Sequence, residues 1–397
     1  MGIRSRWKPV GGGSSLEADG TRRHERTMTR DLWAMAEWRA APGVTPVALE
    51  STGVYWKPIS DILEEQFSVL LVNARHRKQV PGRKSDIRDC QGIAQRLQPG
   101  LLKGSFMAPR GQREWRDRTR LRTPRVEEKT RTLNRLPKEW EDAHSKLGSV
   151  ASQVLGVSGR ALLQALREGE QDAVKRADFA PRKRRGKIPE REKALQGHVT
   201  AHPRFMWKLL GKQLAQQEEL IAELEGKIEE QTRPLAHEVE RLDGVPGVDR
   251  RVAEGVLAEV GADRKPFPTP RHLASWAGMS PGNEESAGKR RRRSITPGNR
   301  WLKRSLVQAA WGASHAHNTY LASPYRRLVG RRGKKRALIA VGHSILVIFY
   351  HMLQKGSTYA DLGGDFFDRL EPERLTRYYV KRLESLGHKV TLDRVAA

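Results

Sequence analysis

Apolar residues in the first hundred positions fall into two short blocks separated by helical spacing. TPVALEST (45–52) is a compact apolar run ending on Glu50, the pattern of a buried strand, and FSVLLVNA (67–74) is a second. Between them KPISDILEEQ (57–66) spaces Ile59, Ile62 and Leu63 for a helix. SDIRDCQGIAQRLQ (85–98) predicts another, with Ser85 as N-cap. Strand, helix, strand, helix is the order of a parallel βαβ arrangement, so this part of the chain is expected to be α/β. Upstream, EADG (17–20) leading into TRRHERT predicts a hairpin turn that feeds an edge strand. The opening MGIRSRWKPVGGGSSL contains no Asp or Glu, and residues 1–16 are expected to be an atypical, disordered start rather than a strand.

The pattern then changes. Residues 111–147 are highly charged and helical in type, but Pro124 and Pro137 interrupt them. Proline inside a helix removes a hydrogen bond and clashes with the preceding turn, so a kinked or broken hairpin is expected. PRKRRGK sits at the centre of a basic surface segment, 172–196. From Phe205 a long helix follows, with Leu210, Leu214, Gln217, Ile221, Leu224 and Ile228 in steps of four and three. That is a coiled-coil seam, suited to pairing with 111–147, with a second chain, or simply with the core. After Pro234 the chain reads as mostly helical: LDGVPGVDRRVAEGVLAEVG (242–261), HLASWAG (272–278), a loop at 279–299, and WLKRSLVQAAWGASHA (301–316). The expected divisions are 17–110, an α/β domain, then 111–235, a coiled-coil and basic linker region. A C-terminal domain at 236–353 and a charged tail at 354–397 follow.

Charge narrows the partners. In 397 residues, 74 Lys and Arg stand against 46 Asp and Glu, a formal charge of +28. Such an excess repels itself in isolation and points to a polyanion, most simply nucleic acid. A membrane is the rival polyanion, but the most apolar run, ALIAVGHSILVIFYHML (337–353), is short and interrupted by Gly342, His343 and Ser344; a buried core helix is expected. The first residues lack the apolar block of a signal peptide. The single cysteine, Cys90, excludes internal disulfides and fits a reducing cytoplasm. CxxC, HExxH and P-loop patterns are missing, so zinc and Walker-type ATP chemistry have no support.

Three groups of residues bear on chemistry. Glu50, at the end of an apolar strand, projects from the carboxyl edge of a sheet where ligands of open α/β sheets bind; as a lone acid it reads more readily as an exposed strand end. Asp86 and Asp89 stand three apart at the start of a helix within a basic neighbourhood. They read either as acids complementing the helix dipole or, converging with Glu50, as ligands for hard divalent cations. Ser286, in NEESAGKRRRRS (283–294), precedes Lys289, Arg290, Arg291, Arg292 and Arg293, and from 286 through Arg304, past Arg300, the chain has eight Lys or Arg and no acid. A serine beside guanidiniums suits attack on a phosphodiester; it suits an inert DNA-binding loop as well. GVPGV (244–248), with Gly244 and Gly247, resembles a helix-hairpin-helix, whose backbone N–H groups grip phosphate, or is an ordinary interhelical turn.

Taken together, ESTGVYWKP, LLVNARH, VPGRKSDIRDCQ, LDGVPGV, HLASWAGMSPGNEESAGKR and RGKKRALIAVGHSIL resemble blocks of the IS110-type (IS110/IS1111) transposases, from about residue 17 to the end. The resemblance implies an N-terminal RuvC-like (RNase H-like) domain with a D-E-D-D acid set, a coiled-coil region and a C-terminal domain carrying a serine. The second, third and fourth acids match Glu50, Asp86 and Asp89, and the serine matches Ser286. It further implies Mg²⁺-dependent DNA cleavage and exchange, a covalent phosphoserine link to DNA, an element-encoded guide RNA, and multimers with a composite site. The family's first acid lies on the opening strand of the sheet, and here MGIRSRWKPVGGGSSL offers none. The expectation is a sheet lacking its first strand, leaving its neighbours exposed, in a decayed or truncated copy or one with a misassigned start.

Overall fold

The computed structural model describes residues 2–4, 13–16, 22–25, 28–40, 46–51, 56–72, 86–102, 104–142, 200–281, 285–286, 289–290, 295 and 297–393. For residues 2–4, 13–16, 22–25, 39, 86–91, 140, 285–286 and 289–290 it describes the backbone alone. The chain divides into two compact units, Met1–Gly111 and Gln112–Ala397.

The first unit is built on a five-stranded mixed sheet in the order β3-β2-β1-β4-β5. The strands are β1 (Gly2–Arg4), β2 (Gly13–Leu16), β3 (Arg22–Glu25), β4 (Pro46–Glu50) and β5 (Ser68–Val72); the helices are α1 (Thr29–Ala40), α2 (Trp56–Leu63) and α3 (Asp86–Leu97). β2 pairs antiparallel with β1 and β3, while β1, β4 and β5 run parallel. The edge strand expected after EADG is β3, and the βαβ alternation of 45–98 is present. The N-terminus departs from expectation. Residues 2–4 and 13–16 are not a disordered start: β1 is the central strand of the sheet, flanked by β2 and β4, and the first strand is not missing. Three residues, GIR, are too few to show alternation, and hydrogen bonding to two neighbours fixes them where local propensity does not.

Burial follows the pleat. Val47 and Leu49 join Leu32, Met35 and Ala36 of α1 and Ile59 and Leu63 of α2 in one core. Ala48, on the opposite face, packs with Val72 of β5 and Ile93 of α3. Glu50, two residues beyond Ala48, shares that second face.

The second unit begins with α4 (Arg110–Asp142), which starts just before the boundary, and α5 (Ala201–Thr232). α4 runs unbroken through both Pro124 and Pro137, contrary to the expected kink or break. Tertiary ties along its length outweigh the local proline penalty: Arg122 pairs with Glu225 (Nε to Oε1, 2.7 Å) and Lys129 with Glu218 (2.9 Å). A step of seven forward on α4 is a step of seven back on α5, so the pair is antiparallel. On α5, Leu210, Leu214, Gln217, Ile221 and Ile228 are buried and Leu224 is half-buried. The basic segment 172–196 lies outside the described residues.

After a 3₁₀ turn (Arg233–Leu235) come α6 (Ala236–Asp243), α7 (Arg250–Val260), α8 (Pro270–Ala277), a hairpin of β6 (Glu285–Ser286) and β7 (Lys289–Arg290), α9 (Arg300–His315), α10 (Ala322–Arg332), α11 (Lys334–Lys355), α12 (Phe366–Leu370) and α13 (Pro372–Glu384). α11 is longer than the 337–353 run suggested, long and apolar enough by composition to cross a membrane. Its Ala337, Val341, Ile345, Leu346, Phe349 and Tyr350 are buried instead in the helical body. The Tyr350 hydroxyl donates to the Phe267 and Pro268 carbonyls at 3.0 and 2.9 Å.

Candidate active site

Glu50 ends β4 with 3% of its surface exposed, level with Val72 of β5, and the Ser51 N–H donates to the Val72 carbonyl (2.9 Å). A helix that follows a parallel strand returns antiparallel to it. α3 therefore opens at the carboxyl edge of the sheet, on the face that Glu50 shares with Ala48. Asp86 is the first residue of α3 and Asp89 the fourth, one helical turn apart. The backbone brings all three acids to one end of one face; the side chains of Asp86 and Asp89, and Ser85, lie outside what is described. Among the described residues no group of three or more His, Cys, Asp or Glu clusters as a metal site. The donor chemistry nonetheless suits Mg²⁺, which takes carboxylate oxygens.

The register of β1 adds an observation that the sequence did not supply. Gly2 and Ile3 lie level with Ala48 and Leu49 across the parallel pair. The next residue, Arg4, thus comes level with Glu50, placing a basic residue beside the buried acid on the neighbouring strand.

In the second unit, Ser286 stands in a built hairpin rather than the flexible loop expected at 279–299. Glu285 pairs with Arg290 and Ser286 with Lys289, leaving two residues between the strands. The base is closed twice. Pro281 and Ile295 form a bridge, and Gly298 lies so close to α8 that an added Cβ would come within 2.2 Å of the Gly278 nitrogen. Asn299 then caps α9, its Oδ1 accepting from Trp301 N (3.0 Å) and Leu302 N (3.1 Å). Arg300 is exposed, its guanidinium 4.9 Å from the Trp301 ring. Arg291, Arg292 and Arg293 lie outside the described residues.

GVPGV forms the turn between α6 and α7. Gly244 and Gly247 are both exposed, but one side of Gly247 is closed. Its φ is +81°, and a Cβ there would sit 2.2 Å from Ala313 N and 2.3 Å from the Ala309 carbonyl of α9. Glycine is required by backbone angle and by close approach alike. Asp249 caps α7, accepting from Val252 N at 2.7 Å.

A polar cluster beneath the hairpin was missed in the sequence. Glu259, 2% exposed, holds the Arg120 guanidinium in a fork (Nε to Oε1 and Nη2 to Oε2, both 2.7 Å), meets Arg116 at 3.5 Å, and accepts from Asn299 Nδ2 at 2.5 Å. Burial pulls the Arg116 guanidinium down to about 10, against the raising effect of Glu259; it stays charged at neutral pH. Glu254, 1% exposed, takes Arg250 (3.0 Å) and Arg251 (2.9 Å), and its hydrogen bond raises the Arg250 pKa. A cleft of about 530 Å³ opens above these pairs, between α4, α7 and α9. Its arginines are already matched, Arg122 and Arg251 by Glu225 and Arg304 by Glu127. The cleft is a neutralised ion network. The signal for it was available: two acids inside the apolar VAEGVLAEV are buried charges that require partners.

Comparison with known proteins accords with this arrangement. A model described as the transposase IS116/IS110/IS902 family matches residues 239–326, spanning the GVPGV turn, the hairpin and α9. A transposase model of the IS110 DEDD type matches residues 14–139, which hold Glu50, Asp86 and Asp89. The insertion element IS110 uncharacterized 43.6 kDa protein of Streptomyces coelicolor is 32% identical over 120 residues, covering 30% of this chain and 29% of that protein. With a DEDD-type unit at one end and a transposase unit at the other, the chain belongs to the IS110-type insertion-sequence transposases.

Proposed function

We propose that the chain carries the machinery to cut and rejoin DNA at the ends of an insertion sequence, acids in the first unit and a serine in the second, and that Arg4 on the opening strand holds this activity low. Glu50, Asp86 and Asp89 would hold Mg²⁺, which when bound stabilises charge developing on phosphate oxygens. The Ser286 oxygen attacks phosphorus, a new P–O bond to serine forms, and the bond to one sugar oxygen breaks. The serine proton leaves to solvent or a neighbouring base, and the departing sugar oxygen takes up a proton. Lys289 to Arg293 and Arg300 neutralise the phosphates, while the N–H groups around Gly244 and Gly247 grip the backbone. The partners are element and target DNA, with a guide RNA; a homo-oligomer would bring the two kinds of site together, with α4 and α5 as its coiled coil, in the cytoplasm and apart from membranes.

The observation that carries this reading is the hairpin: Ser286 sits opposite Lys289 on a two-stranded turn whose base is pinned to α8. A turn so held presents a nucleophile at fixed position. The test is Ser286→Ala in a chain carrying Arg4→Asp, assayed on DNA bearing the element ends. The protein–DNA adduct on a denaturing gel should vanish while DNA binding persists. An adduct formed by the alanine variant would remove Ser286 from the role.

One observation favours a second reading, a nucleic-acid-binding descendant that no longer cuts. Arg4 ends the opening strand and comes level with Glu50, and the family resemblance puts its first acid on that strand. A guanidinium there would repel a metal ion and pair with Glu50 in its place.

A further inference from the structure

A cluster of cations stands at the corner where α10 meets α11. Arg331 and Arg332 end α10, Gly333 joins the helices, and Lys334, Lys335 and Arg336 form the first turn of α11. All five cations are exposed. The surrounding sequence has nothing to neutralise them, since from Ser286 to Ala360 there are 16 Lys or Arg and no Asp or Glu.

The corner differs from the arginine-rich face of α4 in a way that matters. On α4, Arg116, Arg120, Arg122 and Arg125 each meet a glutamate, and on α9 Arg304 does so too. On α10 itself Arg327 meets Asp368. Among the described residues, Arg331, Arg332, Lys334, Lys335 and Arg336 form no ion pair; the one side-chain hydrogen bond made by these five runs from Arg331 Nε to the Arg327 carbonyl (3.4 Å). For Lys334, Lys335 and Arg336 the placement also opposes internal electrostatics, whereas Arg331 and Arg332 suit the last turn of α10. Like charges close on a helix face repel, and cations in a first turn face the positive end of the helix dipole. No acid stands in that first turn and no side chain caps it. These costs disappear when phosphates approach.

We propose that this corner is a second nucleic-acid contact, separate from the hairpin at 285–290, and that it takes the phosphate backbone of duplex DNA. This rests on the reading of the chain as a DNA-acting transposase. Duplex is favoured over single strands because residues 326–336 carry no aromatic side chain on which an unpaired base would stack. The cations stand on two helices, so they present a fixed array to a regular backbone. Contacts of this kind position the DNA and carry no sequence information.

The test uses the full chain and a variant with R331Q, R332Q, K334Q, K335Q and R336Q, titrated with a duplex of unrelated sequence over a range of salt. Each lost phosphate contact lowers the slope of log K against log salt by about 0.9, so losing three to five should lower it by roughly 3 to 4.5. The thermal midpoint should not fall, because every altered side chain is exposed and the substitutions relieve the repulsion among them. A parent chain that binds duplex with a steep slope, and a variant with the same slope, would overturn the proposal. A parent chain with no affinity for duplex at any salt would overturn the DNA-acting reading itself. Weakened binding to a folded RNA hairpin alone, with the duplex slope intact, would assign the corner to RNA and also overturn it.

Discussion

Glu259→Gln tests whether the ion cluster under the hairpin is a structural keystone. The substitution preserves shape and removes the charge, leaving Arg116 and Arg120 facing a neutral amide. Glu259 has a side chain 3% exposed, Arg116 11% and Arg120 28%. Breaking a buried pair by neutralising one partner costs about 3–5 kcal/mol, because the remaining charges stay desolvated. The partial exposure of Arg120 lets water relieve part of that, and the Asn299 bond, about 1 kcal/mol, survives if the amide oxygen faces it. The expected loss is therefore about 3 kcal/mol, or roughly 6–9 °C in the midpoint of the second unit. Calorimetry of the full chain, with the Arg120→Met single and double variants closing the cycle, isolates the pair. A loss below about 1 kcal/mol with no coupling to Arg120 would refute the reasoning.

Gly247→Ala should cost at least about 3 kcal/mol in urea unfolding, combining a strained positive φ with a Cβ inside contact distance of α9; a neutral result would mean that the turn and α9 are not in contact. Burial lowers the pKa of His343 on α11. The unfolded chain then takes up a proton as pH falls below about 6.5 while the folded chain resists, so stability is lost from there down to the lower folded pKa. His343→Leu should flatten this acid limb in pH-dependent melts; an unchanged limb would assign it to other groups. Neutralising Arg290 to Arg293 should lower the salt slope of DNA binding as the α10–α11 corner does, and the two reductions should add.

Much of the first unit was legible because its elements carry their own signal. The apolar blocks at 45–52 and 67–74 and the spaced Ile59, Ile62 and Leu63 each exceed the noise of a few residues. β1 did not, because three residues cannot declare a period and its stability comes from β2 and β4. The unbroken α4 was hidden for the opposite reason. The proline rule is a local energy, and glutamates more than eighty residues away in sequence supply what it takes away. The Ser286 hairpin left a trace in Ala287-Gly288, a two-residue connection with glycine. The run of arginines after it reads as a loop when charge alone is considered. Glu259 shows the general case: the sequence marks a buried acid by its apolar neighbours, but only the fold says which arginine answers it.

The most direct measurement concerns residue 4. If Glu50, Asp86 and Asp89 are metal ligands with Arg4 on the opening strand where the first acid belongs, Mg²⁺-dependent cleavage of DNA bearing the element ends should be absent or barely detectable in the unmodified chain. Arg4→Asp should raise it by at least about tenfold, as the gain of a charge-stabilising ligand would. Adding Glu50→Gln to that variant should abolish the gain. Robust cleavage by the unmodified chain, lost on Glu50→Gln, would contradict the account and return the missing ligand to another residue.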